Sequence, residues 1–137
     1  VKVKPWGKPR PKLRRERTEQ DLQILLVRSR LEPLVKRGIL LDYWSTPNEL
    51  VGMIYRERPW LARDASKMGL QKGVPDLTLR AIVDGVGRIC WMELKSDTGS
   101  LTEPQKDFRS RTLAAGWPSY VVRTVDEFDA ALKDWLC

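Results

Sequence analysis

Residues 76–95, DLTLRAIVDGVGRICWMELK, decide the fold. Apolar residues crowd both flanks of Asp84-Gly85, and that dipeptide is among the strongest short-range hairpin signals, because a type I′ turn needs positive φ at both central positions. A strand from Asp76 to Val83, a tight turn and a strand from Ile89 to Lys95 are therefore expected. With a two-residue loop, Val83 faces Val86 and Asp76 falls opposite Glu93, their Cβ atoms roughly 5 Å apart. A four-residue loop keeps the same face, and only an odd loop without a bulge separates the two acids. Lys95, two residues beyond Glu93, shares that face because strand side chains alternate.

Upstream, Thr18 opens a helical pattern of Leu22, Leu25, Leu26 and Leu34 that Gly38 closes. Pro33 should kink or briefly break it, since proline removes a backbone donor and crowds the preceding turn. Residues 39–45 read as a strand. Thr46-Pro47-Asn48-Glu49 has the form of a capping box with proline at the first helical position, which predicts a short helix to about Arg58. After Pro59, residues 60–68 add another helical turn or two before Gly69. Downstream, Thr102-Glu103-Pro104-Gln105 opens a helix to about Ala115, and Gly116 ends it. Residues 117–123 read as a strand, and Thr124-Val125-Asp126-Glu127 starts a last helix with Phe128, Ala131, Leu132 and Trp135 on one face. This order predicts a mixed α/β domain rather than a run of βα units.

The 137 residues, 42% of them apolar, suffice for one domain with a continuous core. The net charge of +7 is carried entirely by residues 1–17, VKVKPWGKPRPKLRRER, whose eight basic side chains face one acid. The body, 18–137, has 17 basic and 17 acidic side chains and is neutral. The longest uncharged stretch, Thr112 to Val122, has 11 residues and is broken by Gly116 and Pro118, so no membrane-spanning helix and a cytoplasmic location are expected. Two cysteines, Cys90 and Cys137, exclude a disulfide scaffold. With no histidine, His-Cys zinc sites, Ser-His-Asp triads and Cys-His pairs are excluded, leaving carboxylates, lysines, hydroxyls or a metal held by oxygen.

Asp76, Glu93 and Lys95 match that remaining chemistry. Two carboxylates at such a distance repel unless a proton or a cation intervenes, and Mg²⁺ is satisfied by a few carboxylate oxygens with water and phosphate oxygens completing its octahedron. On spacing alone, a solvated cross-strand charge cluster explains the same three residues. Against that stand Leu77, Leu79, Cys90, Met92 and Leu94, which make both strands look central.

The string Gly73-Val74-Pro75-Asp76-Leu77, followed by Glu93-Leu94-Lys95 and by Gln105 opening a helix, resembles the VRR-Nuc (virus-type replication-repair nuclease) branch of the PD-(D/E)XK nuclease superfamily. The resemblance extends to Glu19-Gln20-Asp21-Leu22-Gln23 and Pro47-Asn48-Glu49, and covers about residues 18–131. It implies a PD-(D/E)XK nuclease-like α/β core, a mixed central sheet flanked by helices, and phosphodiester hydrolysis on DNA with Mg²⁺ or Mn²⁺. By that analogy Asp76, Glu93 and the Leu94 carbonyl hold the metal, Glu19 completes its surroundings directly or through water, Lys95 positions or activates the attacking water, and Gln105 stands beside the lysine. Standalone members of the family are small phage and bacterial proteins that act as homodimers on four-way junctions, so branched DNA, a homodimer and a bacterial or phage-infected cytoplasm are the expected setting. A flap, nicking or restriction-type endonuclease of the same fold, or a DNA-binding module without catalysis, are the rival readings.

Other residues carry two readings each. Gln105 is also the third residue of a capping box, and Glu19 is also an acid in a first helical turn. Gly73 suits a turn or a bend that admits phosphate, Asn48 a helix start or a substrate contact, and Lys72 solvent or the DNA backbone. Trp44, Trp91, Trp117 and Trp135 sit at periodic apolar positions and are expected in the core. In the arm, Lys2, Lys4, Lys8, Arg10, Lys12, Arg14 and Arg15 suit sequence-independent phosphate binding, with Trp6 placed to stack on a base. Deleting residues 1–17 is accordingly expected to weaken DNA binding and flatten its salt dependence; a deletion that changes neither would make the arm a solubilising tail.

Overall fold

The hairpin forms in the expected register. The computed structural model describes residues 18–137 and places strands β2 (Leu77–Val83) and β3 (Val86–Leu94) antiparallel, from Leu77 opposite Met92 to Val83 opposite Val86. Asp84 and Gly85 both take positive φ, 51° and 76°, as a two-residue turn matching the strand twist requires. Strand β1 (Asp42–Ser45) pairs antiparallel with β2, and β4 (Ser119–Val122) runs parallel to β3, giving a mixed four-stranded sheet ordered β1-β2-β3-β4. A parallel neighbour needs a crossover, which α5 (Glu103–Ala114) supplies.

Leu77, Leu79, Ala81, Cys90, Met92 and Leu94 are buried in one cluster. The cluster is completed by Leu22 and Leu26 of α1 (Glu19–Leu26), Leu31, Leu34 of α2 (Glu32–Lys36), Leu40, and Phe128, Ala131 and Trp135 of α6 (Val125–Leu136). The residues between them in register, Thr78, Trp91 and Glu93, lie on the opposite face, where α5 sets Phe108 edge-on to Trp91 with ring centroids 6.2 Å apart. Helices α3 (Asn48–Glu57) and α4 (Pro59–Lys67) form an excursion between β1 and β2. No helix among the described residues is long and apolar enough to cross a membrane.

Four expectations are corrected. The first helix does not break at Pro33; it widens into a π turn, Val27–Leu31, before it. Pro33 has no N–H to offer the Ser29 carbonyl, and the Arg30 guanidinium donates to that oxygen instead (3.1 Å), while also gripping Asp129 of α6 at 2.8 and 3.1 Å. Thr46 does not cap α3: its N–H donates to the Asp76 carbonyl (2.9 Å) as a continuation of the β1/β2 ladder, and Pro47 becomes the cap residue. Strands expected at 39–45 and 117–123 are shorter, at Asp42–Ser45 and Ser119–Val122. Of the described tryptophans only Trp135 is fully in the core. Trp91 is half-buried, whereas Trp44 lies exposed on edge strand β1 under the Arg80 guanidinium and Trp117 lies exposed against Trp91. Periodicity marks a face as apolar without saying whether anything covers it.

Gly73 settles one open reading. It takes φ +83°, and a Cβ there would lie 2.4 Å from the Pro104 carbonyl carbon and oxygen and 2.8 Å from the Gln105 nitrogen. The loop ahead of β2 thus rests its bare backbone on the first turn of α5, a contact only glycine permits. Gly69, also at positive φ (+100°), has nothing within 4 Å. Thermal or urea unfolding should show Gly73→Ala costing about 2 kcal/mol or more and Gly69→Ala distinctly less; equal losses would mean that backbone strain, not the contact with α5, governs both positions.

Candidate active site

The two acids sit where the hairpin leaves the covered part of the sheet. Asp76 immediately precedes β2, and its carboxylate is held from two sides: Oδ2 accepts the Leu94 N–H of β3 (2.8 Å) and Oδ1 accepts the Asn48 amide (3.1 Å) at the start of α3. The same Asn48 nitrogen donates to the Val74 carbonyl (3.1 Å), so both amide hydrogens are engaged within the protein and fix the loop that carries Asp76. Asn48 therefore acts here as a positioning group, with its residue on the cleft wall.

Glu93 is the penultimate residue of β3 and only 5% exposed. Its Oε1 accepts the Gln105 side-chain N–H (2.8 Å), while Oε2 is buried without a hydrogen-bond partner. Burial, reinforced by the charge of neighbouring Asp76, pushes its carboxyl up to about 9, and the Lys95 charge offsets only part of this. Near neutral pH and without a cation, Glu93 therefore holds a proton that the unfolded chain has released.

Lys95, one residue past β3, is 6% exposed; its N–H pairs with the Val122 carbonyl (3.0 Å), extending the parallel ladder. Its ammonium lies 3.9 Å from Glu93 Oε1 and 3.8 Å from Glu19 Oε1. Such burial removes the solvated charge cluster as an account of these residues. Glu19, half-buried, reaches the site from the first turn of α1, whose cap Thr18 accepts the Asp21 N–H (3.1 Å). Gln105 makes two contacts: its Oε1 accepts the Thr102 N–H (2.9 Å) in the capping box, and its amide nitrogen donates to Glu93. The helix cap thereby sets the orientation of Glu93.

A cleft of about 760 Å³ opens over these groups, lined by Glu19, Asn48, Asp76, Glu93 and Gln105 with residues of α1, the π turn and the end of β1. Lys72 is not part of it; its ammonium lies over the Tyr55 ring, 4.9 Å from the centroid. The arm residues Lys2, Lys4, Trp6, Lys8, Arg10, Lys12, Arg14 and Arg15 lie outside the described residues.

Sequence reasoning missed Arg123 and Gly99. The Arg123 guanidinium donates to the carbonyls of Ser96 (2.7 Å) and Gly99 (2.6 Å), pinning the loop after β3. A Cβ on Gly99 would stand 3.6 Å from both Glu19 Oε1 and the Lys95 Cδ, so this loop closes over the lysine. Parallel pairing of Leu94 with Val122 puts Lys95 and Arg123 side by side, but no local signal in the sequence announces that pairing.

The residues suit a hard divalent cation. The donor set is oxygen, and Glu93 offers a buried oxygen with no other partner beside a second carboxylate. Among the described residues no three acidic, histidine or cysteine side chains converge as a ligand group. Asp76 and Glu93 are the two carboxylates that could hold such an ion, while Glu19 stands against the lysine.

No protein-family model matches the sequence. No curated protein matches it either. The fold does have a solved counterpart: a structure described as a VRR_NUC domain protein superposes with a TM-score of 0.60 over 87% of this chain and 88% of that chain, at 18% identity. Likeness at that level of identity is a likeness of architecture, and it places the mixed sheet and its flanking helices in the VRR-Nuc-like PD-(D/E)XK fold.

Proposed function

We propose that this chain is a metal-dependent endonuclease of the VRR-Nuc family that hydrolyses phosphodiester bonds in DNA, at four-way (Holliday) junctions, as a homodimer. The supporting observation is the buried Glu93 carboxyl with an unpartnered oxygen, lining an open cleft together with Asp76 and lying 3.9 Å from the Lys95 ammonium. Family, DNA and junction readings rest further on the motif resemblance and the shared fold.

Asp76 and Glu93, with the Leu94 carbonyl and with Glu19 through water, would hold Mg²⁺ or Mn²⁺. When bound, such an ion acidifies a water and stabilises charge on the phosphorane-like transition state. The chain's own groups orient the reaction. Asn48 and the Leu94 N–H hold Asp76, and Gln105 holds Glu93, each in a fixed rotamer before substrate arrives. Lys95, 3.9 Å from Glu93 Oε1, would position the attacking water and offset the charge that grows on the phosphate oxygens. The water oxygen bonds to phosphorus and gives up a proton to solvent as the bond to the leaving sugar oxygen breaks, and the leaving oxygen takes a proton from solvent.

Labelled four-way junction, flapped and duplex DNA, incubated with Mg²⁺, Mn²⁺ or EDTA, test this reading. Cutting is expected only with metal and fastest on the junction, with Lys95→Ala and Asp76→Asn each slower by about 10²-fold or more. Equal rates on all three DNAs would remove the junction preference. Binding without cutting in every condition would leave a DNA-binding module. Sedimentation of the same protein is expected at twice 15.8 kDa, and a monomer mass would remove the dimer alone.

A further inference from the structure

We propose that the cleft takes up an unpaired nucleobase of the DNA, seated on Ile24, Val27 and Pro47, so that the phosphate beside an unstacked nucleotide is the one delivered to Asp76 and Glu93. The inference rests on the nuclease reading and narrows its substrate to DNA with an unpaired or easily unpaired nucleotide at the branch.

Charge is the first ground. Among the described residues the lining carries four acids, Glu19, Glu32, Asp76 and Glu93, against one cation, Arg28. The buried Lys95 ammonium is engaged with Glu93 and Glu19. Apart from Arg28, the described walls offer no cation to successive phosphates of a double helix, on which duplex binding depends.

The second ground is what the walls do offer. Ile24 is 47% exposed, and Val27 and Pro47 join it in the lining, apolar surface of the kind that grips the faces of an extruded base. Around them stand Gln20, Gln23, Ser45 and Thr46, neutral groups that both donate and accept and so suit base edges without fixing a sequence. A volume of about 760 Å³ is that of a small-ligand cleft, within the usual range of about 300–1,000 Å³.

The helix that builds this wall gives the third ground. Gln20, Gln23, Ile24, Val27 and Arg28 follow ordinary helical spacing along the cleft, and the next residue in that series is Leu31. The π turn slips the spacing by one, so Leu31 goes fully into the core and Glu32 takes its place on the lining. Along this helix the wall runs from Glu19 and Gln20 beside the acids, through Ile24 and Val27, to Arg28 and Glu32, so the apolar patch is bounded by polar residues at both ends.

The test uses the full chain, in EDTA, with four-way junctions carrying 2-aminopurine at the branch point, either facing a mismatch or locked in a paired, G·C-flanked arm. Affinity for the mismatched junction is expected to be about tenfold higher, with a rise in 2-aminopurine emission that reports unstacking. Both effects should be lost in the Ile24→Ala/Gln23→Ala variant, whose two side chains lie outside the core cluster. Equal affinities, no emission change, or an unchanged preference in the variant would overturn the inference. So would a variant that alters only the sedimentation mass, because the apolar wall would then be a protein contact. Since this readout needs no cleavage, a chain that shows the preference but never cuts with metal contradicts the nuclease reading and leaves the base site standing.

Discussion

Burying Glu93 between Asp76, Lys95 and Gln105 is the constraint from which the rest of the cleft follows. A carboxyl at 5% exposure, next to a second carboxylate, is unfavourable in its charged form, and the protein meets that cost with a proton, a nearby ammonium and one amide hydrogen bond. An apolar residue on the same strand position would stabilise the fold more simply. What the acid pair adds, on the proposed function, is affinity for a cation, with the surrounding elements as its supports.

Those supports come from four separate parts of the chain. The tight turn at Asp84-Gly85 fixes the hairpin register and so sets Asp76 beside Glu93. Asn48 at the head of α3 ties Asp76 to its loop, and the α5 capping box aims Gln105 at Glu93. Gly73 lets the Asp76 loop press on the first turn of α5, so the two acids are positioned against each other through backbone contact as well as through the sheet. Arg123, beside Lys95 in the parallel ladder, pins the loop that covers the lysine.

Legibility in the sequence follows the range of each interaction. The hairpin, its register and the Thr102 and Thr124 caps are local, and local rules place them. The face shared by Asp76, Glu93 and Lys95 is legible for the same reason. Thr46 has a strong local capping signal that the sheet overrides, because its N–H is claimed by Asp76. Pro33 announces a disturbance but not its form; the π turn depends on Arg30 reaching both Ser29 and Asp129, ninety-nine residues away. Trp44 and Trp117 have the periodicity of core residues and lie at positions that no described element covers. Gly73 and Arg123 act across contacts whose partners only the tertiary fold brings near.

The central claim is that the Asp76–Glu93 pair exists to bind a divalent cation. Thermal unfolding of the full chain at pH 7.5, in EDTA and in millimolar Mn²⁺, tests it without substrate, comparing the natural protein with Glu93→Gln. The account predicts that Mn²⁺ raises Tm by several degrees in the natural protein, as expected when a ligand binds only the folded state. The variant should gain little from the metal and be at least as stable as the natural protein in EDTA, because the folded chain no longer confines a carboxyl that burial and Asp76 push up to about 9. The same Mn²⁺ shift in both proteins, or none in either, would contradict it.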